Sequence, residues 1–318
     1  MLGNIIQSAQ ERERLASELG VRPITLMRWA HGESSPRPYS LRQLLNALPE
    51  QQRKELLPLL SEEFSEISLI VKEDSTEGQL QEIPPEFYSR VISTYLTTPE
   101  AINPWALRNL ILQQVLLHLD PDRLGMAATV AQCIPPLHGN KVRSLRVIMG
   151  RGSPPWESDL EQRSLFLGAE TLAGYAVVSL RSFVVQQPYE SNLLPEYRTT
   201  WETSQVVCPI MRLNMVAGCL LVSSTQPDYF QSFHQKLIQD YANLLALTFK
   251  PEEFYAVQDI ELLVMPEPAA QSVILSTFRN RVVNFMIDHR PLSVSEAEQL
   301  VWQQLEEEML QLHPKDAK

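Results

Sequence analysis

Cysteine is scarce. Cys133, Cys208 and Cys219 are the only three in 318 residues, and none forms a Cys-x-x-Cys pair. Such an odd, sparse set excludes a disulfide scaffold and fits a reducing cytoplasm. The six histidines (31, 118, 138, 234, 289 and 313) form no His-x-x-x-His or His-Glu-x-x-His spacing, so no preassembled metal site is expected. No apolar run approaches the about 18 residues of a membrane helix, and no signal-peptide pattern opens the chain. A cytoplasmic protein without membrane partners is expected. Glycine numbers only 11. There is no phosphate-binding glycine loop, no dinucleotide fingerprint, no nucleophile–base pair and no paired carboxylates in an acid–base setting. No catalytic residue is therefore assigned, no cofactor is required, and an enzyme is not expected.

Positive charge is also in deficit. Lys and Arg total 27 against 38 Asp and Glu, giving a net charge of −11 and a pI near 5.1. That excludes a surface coated in nucleic acid but leaves room for a local basic face. One exists. Residues 1–60 hold eight Lys or Arg against six Asp or Glu, whereas residues 61–85 hold seven acids against Lys72 alone. The acidic stretch ends in Pro84-Pro85 and reads as a linker. At 44% apolar residues the chain can build a sizeable core, and its length suggests about two domains. The expected segments are a helical block at 1–60, the linker at 61–85, a mixed block at 86–250 and a helical extension at 251–318.

In the first block, Leu15, Ala16, Leu19, Val21, Leu26 and Trp29 suit two short helices sharing a core. Gly20 lies between them, Pro23 sits in the first turn of the second, and Gly32 ends it. Further helices are expected near 40–48 and 49–57. The run Arg14-Leu15-Ala16-x-x-Leu19-Gly20-Val21-x-x-x-x-Leu26-x-x-Trp29-x-x-Gly32, with Pro36, Leu41, Leu44, Leu45 and Leu48, resembles the Cro/C1 (XRE-type) helix-turn-helix over about residues 10–50. Its first helix is abbreviated. The resemblance implies double-stranded DNA as partner, with Pro23, Ile24 and Arg28 facing bases and Arg22, Thr25 and His31 near phosphates. Ile24 suits a thymine methyl, and Arg28 suits guanine O6 and N7. Arg37 and Arg42 add phosphate contacts, and Trp29 belongs to the core. Such modules commonly read inverted repeats as dimers, so a homodimer is expected.

The central block reads as helices at 105–118, 122–133 and 159–175, with strand text at 144–149 and 183–185. Gln205–Met211 and Met215–Val222 form two strand runs joined by Arg212-Leu213-Asn214, and a long helix follows from Tyr229 to Phe249. Ala173-Gly174-Tyr175-Ala176, then Val207-Cys208-Pro209-Ile210, Ala217-Gly218-Cys219-Leu220-Leu221-Val222, Tyr229-Phe230 and the helix around Tyr241 resemble a GAF domain over about 103–250. That implies an antiparallel sheet with helices on one side and a ligand pocket roofed by loops on the other. It also implies small-molecule sensing or dimerisation. Trp156, Tyr175, Phe183, Tyr197, Trp201, Met211 and Arg212 are the pocket candidates, with ordinary packing as the alternative for each. The polar stretch 186–204 has the length of a lid or binding loop. A few GAF proteins reduce methionine sulfoxide through paired cysteines, and Cys208 and Cys219 fall on adjacent strands of the expected hairpin. That redox reading ranks below a non-sensing interaction scaffold, and both rank below a sensing regulator.

After Pro251, Ala270, Ile274, Phe278, Val282 and Phe285 make one helical stripe. Ser295-x-x-Glu298 reads as a capping box for a second helix bearing Ala297, Val301, Leu305 and Met309. Glu306-Glu307-Glu308 reads as a solvated face. These helices would cover the sheet or pair with another chain. The expected fold class is thus multidomain: an all-α helix-turn-helix, a GAF-like antiparallel sheet flanked by helices, and a helical C-terminal extension.

Overall fold

The computed structural model describes residues 8–19, 21–30, 34, 44, 82–137, 141–160, 164–186, 201–288 and 293–312. The chain divides into two compact units, residues 1–80 and 81–318. In the first, α1 (Ala9–Glu18) and α2 (Pro23–Ala30) bury Leu15, Ala16 and Leu26, with Leu19 and Leu44 also buried. The Val21 N–H donates to the Ala16 carbonyl at 3.0 Å, occupying an acceptor left over at the end of α1. Of the helix expected near 40–48 only Leu44 is described, and the helix expected near 49–57 and the linker up to residue 81 lie outside the described residues.

The second unit opens with α3 (Pro85–Thr97) and α4 (Asn103–Leu119), each carrying a proline in its first turn, where a missing N–H costs least. Six antiparallel strands follow: β1 (Met126–Cys133), β2 (Leu145–Gly152), β3 (Phe166–Leu167), β4 (Phe183–Val185), β5 (Ser204–Arg212) and β6 (Met215–Ser224). Their order across the sheet is β3-β2-β1-β6-β5-β4. Between β3 and β4 lies α5 (Leu172–Ser179); after β6 come α6 (Ser232–Leu245), α7 (Pro268–Leu275), α8 (Phe278–Asp288) and α9 (Val294–Leu312).

Side-chain alternation splits the sheet into two buried faces. On one face, Met126, Ala128, Val130, Val206, Cys208, Ile210, Leu220 and Val222 pack against α3, α4 and α6. On the other, Ala131, Cys133, Val147, Val207, Val216 and Cys219 pack against α5 and Ile260. The second face therefore carries a helix as well as loops. Gly218 sits where β6 passes closest to β1: a Cβ there would stand 1.9 Å from the Ala131 carbonyl oxygen. Pro209 is tolerated because β4 pairs only as far as Val207. The β5–β6 hairpin closes on Leu213 and Asn214, both at positive φ (49° and 60°), the two-residue geometry that matches strand twist.

Several expectations are corrected. Residues 126–133 are a strand, not part of a helix. The chain turns after α4 because Asp120 accepts from the Leu124 N–H at 2.6 Å, with Arg123 and Gly125 at positive φ. The helix expected at 159–175 is replaced by β3 and α5. Gly168 lies against the backbone at Leu263, and the Thr171 hydroxyl caps α5 by accepting from Gly174 N. The stripe from Ala270 to Phe285 is two helices, broken at Ser276-Thr277. The capping box is Ser293 with Glu296, two residues before the one expected: each side chain accepts from the other's backbone N–H.

The helices α7–α9 cover the β3 edge through Ile134, Phe166, Met265, Val282, Val301, Leu305 and Met309. Gln271 seals it. Its amide accepts from Phe166 N at 2.8 Å and donates to Phe166 O at 2.9 Å, as a neighbouring strand would. The three glutamates are not a solvated face. Glu306 is buried and, with Glu307, pairs with Arg143, while Glu308 pairs with Arg281.

Candidate functional site

The α2 helix begins at Pro23, with Leu26 turned into the core of its unit. Arg22, Pro23 and Arg28 are exposed, Ile24 is 53% exposed, and Thr25 and Trp29 are half-buried. The Thr25 N–H donates to Arg22 O at 2.8 Å and fixes the first turn. Ile24 in the first turn and Arg28 in the last thus stand exposed on a short helix that Arg22 immediately precedes. His31, Arg37 and Arg42 lie outside the described residues.

The pocket candidates do not gather into one place. Tyr175 on α5 and Phe183 on β4 meet, ring centroids 4.7 Å apart, with Tyr175 59% exposed. Trp156 is buried in a separate small cluster with Ala127 and Leu160, at the end of the strands where Met126 pairs with Ser224. Trp201 is exposed. Met211 and Arg212 stand at the hairpin end of β5, far along the strand from Ser204. Met211 is half-buried against the second face, Arg212 is exposed, and Tyr197 lies outside the described residues.

The cysteines are placed differently from the sequence expectation. Cys208 opposes Leu220 and Cys219 opposes Pro209, so the two are out of register by one residue. They consequently face opposite sides of the sheet, Cys208 toward α6 and Cys219 toward α5. Cys133, not Cys208, shares a face with Cys219. All three are free and buried. Burial pushes the Cys133 and Cys208 thiols up to about 12 and raises Cys219 well above the ordinary thiol range. These are protonated, poorly nucleophilic thiols at neutral pH.

A group of residues that sequence reasoning did not single out gathers at the β2 edge. Arg146 on β2 pairs across the strands with Gln132 on β1 and Phe166 on β3. Gln132 follows Met126, Ala128 and Val130 in strict alternation, which places Arg146 on the α4 side. Its guanidinium carbon lies 4.1 Å from the ring centroid of Trp302 on α9. Nearby, Arg108 on α4 donates through Nε to Thr248 Oγ1 and through Nη2 to Thr248 O, both at 3.0 Å, and stacks on Phe249 at 4.4 Å. Burial pulls both guanidiniums down to about 10. The signal in the sequence is a single arginine inside Leu145-Arg146-Val147-Ile148-Met149.

Among the described residues no group of three or more His, Cys, Asp or Glu could hold a metal ion, and no helix is long and apolar enough to cross a membrane. No protein family and no curated protein matches the chain. Solved structures do. The chain is similar to the GAF domain of a phosphoenolpyruvate-protein phosphotransferase from Coxiella burnetii, at 14% identity and a TM-score of 0.40, over 51% of this chain and 90% of that one. It is similar to the corresponding Acinetobacter domain at 14% identity and a TM-score of 0.36, over 51% and 90%. It is also similar to a type II free methionine-R-sulfoxide reductase from Thermoplasma acidophilum, at 14% identity and a TM-score of 0.32, over 47% and 90%.

Proposed function

We propose that this chain is a sequence-specific DNA-binding regulator whose second unit is a GAF-like module that senses a small molecule, pairs two copies, or does both. The observation that carries the reading is α2. Leu26 anchors it, while Ile24 and Arg28 stand exposed one turn apart on a helix that opens beside Arg22. A solvent-facing isoleucine between arginines suits thymine methyls and guanine edges, with phosphates alongside.

Pairing of two copies is supported by α3. Tyr88, Ile92, Tyr95 and Leu96 are exposed along it, Leu96 at 74%, and Ile102 and Trp105 continue the apolar surface at the start of α4. A contiguous patch of this kind is uncommon on a monomer. The same patch favours the second reading, a scaffold that engages another protein without sensing.

Selection of oligonucleotides from a random pool by the full chain tests the proposal. An inverted repeat is expected to be enriched and to be lost in Arg28→Ala, which should weaken binding by about 1–3 kcal/mol and relax one base position. Absence of enrichment at low salt would overturn the DNA-binding reading. Sedimentation of the wild type against Ile92→Glu then separates a homodimer from a monomeric scaffold.

A further inference from the structure

Arg146 is a half-buried cation whose Nε is left without a partner among the described residues. Its Nε is shut off from solvent and has no hydrogen-bond partner. Among the described residues the guanidinium makes no hydrogen bond or ion pair; its contact is the face of Trp302. Trp302 is itself fixed, stacked on Phe278 at 4.0 Å and tilted against Phe166 at 5.9 Å. Two carboxylates stand around this group, and neither closes on Arg146. Glu253 is held by Gln132 Nε2 at 2.7 Å, and the exposed Glu298 acts only through space. Arg108, half-buried, adds a second positive charge that repels Arg146.

A guanidinium with a desolvated, unused donor is costly, and proteins usually close such a group with a carboxylate or a backbone carbonyl. Here the fork is held open on two rigid elements, a strand and an aromatic wall. Carboxylates and phosphates both match that fork with two oxygens. We propose that Arg146 anchors a binding site for a small oxyanion, a carboxylate or phosphate group, walled by Trp302 and supplemented by the charge of Arg108. The site lies on the α4 side of the sheet, away from Tyr175 and Phe183. It supplies a ligand class for the sensing reading but does not rest on it, because binding is read on the protein alone without DNA.

The test titrates the full chain with inorganic phosphate and, separately, with acetate, against chloride at matched ionic strength. Tryptophan emission and the thermal midpoint are followed. Saturable stabilisation by one or both oxyanions is expected, and the more effective one identifies the group. The emission change should vanish in Trp302→Phe while the stabilisation persists. In Arg146→Met the oxyanion should bind about tenfold to a hundredfold more weakly. Without oxyanion, that variant should unfold at the wild-type temperature or above it, since an unpaired charge has been removed. Arg146→Lys should keep part of the response. A wild type indifferent to both oxyanions, or an Arg146→Met that responds like the wild type, would overturn the proposal. An Arg146→Met that unfolds far below the wild type would do so too, by making the guanidinium a structural strut.

Discussion

Arg143 and Arg146 sit at the same end of β2 and meet the same helix, α9, yet their surroundings are opposite. Arg143 donates to Glu306 at 3.0 Å and to Glu307 at 2.7 Å, and the Ser144 hydroxyl also donates to Glu306. Glu306 is only 2% exposed. Burial raises its pKa, whereas the carboxylates more than offset burial at Arg143, whose pKa is raised. Three residues further on, Arg146 has an aromatic face and no acceptor among the described residues. The contrast shows that this fold can satisfy a half-buried guanidinium at this seam. α9 supplies carboxylates to one arginine and a tryptophan to the other. A closed pair fastens the helix to the sheet, and an open cation beside it keeps donors in reserve.

Breaking the closed side should have the largest effect. Arg143→Ala leaves Glu306 buried without its cation and should cost about 3 kcal/mol, read as a lowered urea midpoint at an unchanged slope. If the penalty comes from the abandoned charge, the double change Arg143→Met with Glu306→Leu should recover most of it. A double variant as unstable as Arg143→Ala would mean that the ion pair itself, rather than the orphaned carboxylate, holds α9.

The open side should respond in the other direction and by less. Without oxyanion, Arg146→Met exchanges an unpaired cation for a thioether that can still lie on Trp302, and should stabilise the protein by about 1 kcal/mol. A loss of stability in the same urea experiment would erase the distinction between the two arginines. Equal and opposite signs at neighbouring positions would sharpen it.

The closed and open sides were unequally legible in the sequence. The β5–β6 hairpin can be read because Val206, Cys208 and Ile210 alternate with other residues, and because a short turn separates two β-rich runs. The helix around Tyr241 can be read from its apolar spacing. The β1 strand cannot. Ala127-Ala128-Thr129-Val130-Ala131 is buried on both faces, so no two-residue period separates it from a helix. At the β2 edge, Arg146 looks like the outward residue of a half-exposed strand. What covers it is Trp302 and Phe166, which only the tertiary fold brings to it. Glu306 misleads for the same reason: a run of three glutamates looks solvated until Arg143 and Ser144 are placed beside it. The exposed residues of α2 were legible because the pattern of Leu15, Leu19 and Leu26 fixes which side is core.

Acid pH provides the smallest comparison, because it leaves both arginines charged and acts on His234 and, in the opposite sense, on Glu306, whose pKa burial raises. His234 opens α6, where its Nδ1 accepts from the Gln231 N–H at 3.2 Å and its ring stacks on Tyr229 at 4.9 Å. Burial, with repulsion from His118 behind it, lowers its pKa from 6.5 to about 4. The folded state therefore takes up this proton later than the unfolded state. Its neutral form contributes stability that is fully present above pH 6.5 and is lost as pH falls toward 4. Solvent reaches part of the ring, so the loss should be modest. His234→Asn keeps a side-chain acceptor for the Gln231 N–H and should flatten this limb of the stability profile. Arg146→Met should shift the whole profile without changing its shape, since its guanidinium does not titrate in this window. Parallel profiles for wild type and Arg146→Met, against a flattened one for His234→Asn, would separate a standing cost of burying charge from a titrating one. If Arg146→Met also changed the acid limb, Arg146 would be coupled to a titrating carboxylate, with Glu298 the first to test, and the site would not be open in the sense its geometry indicates.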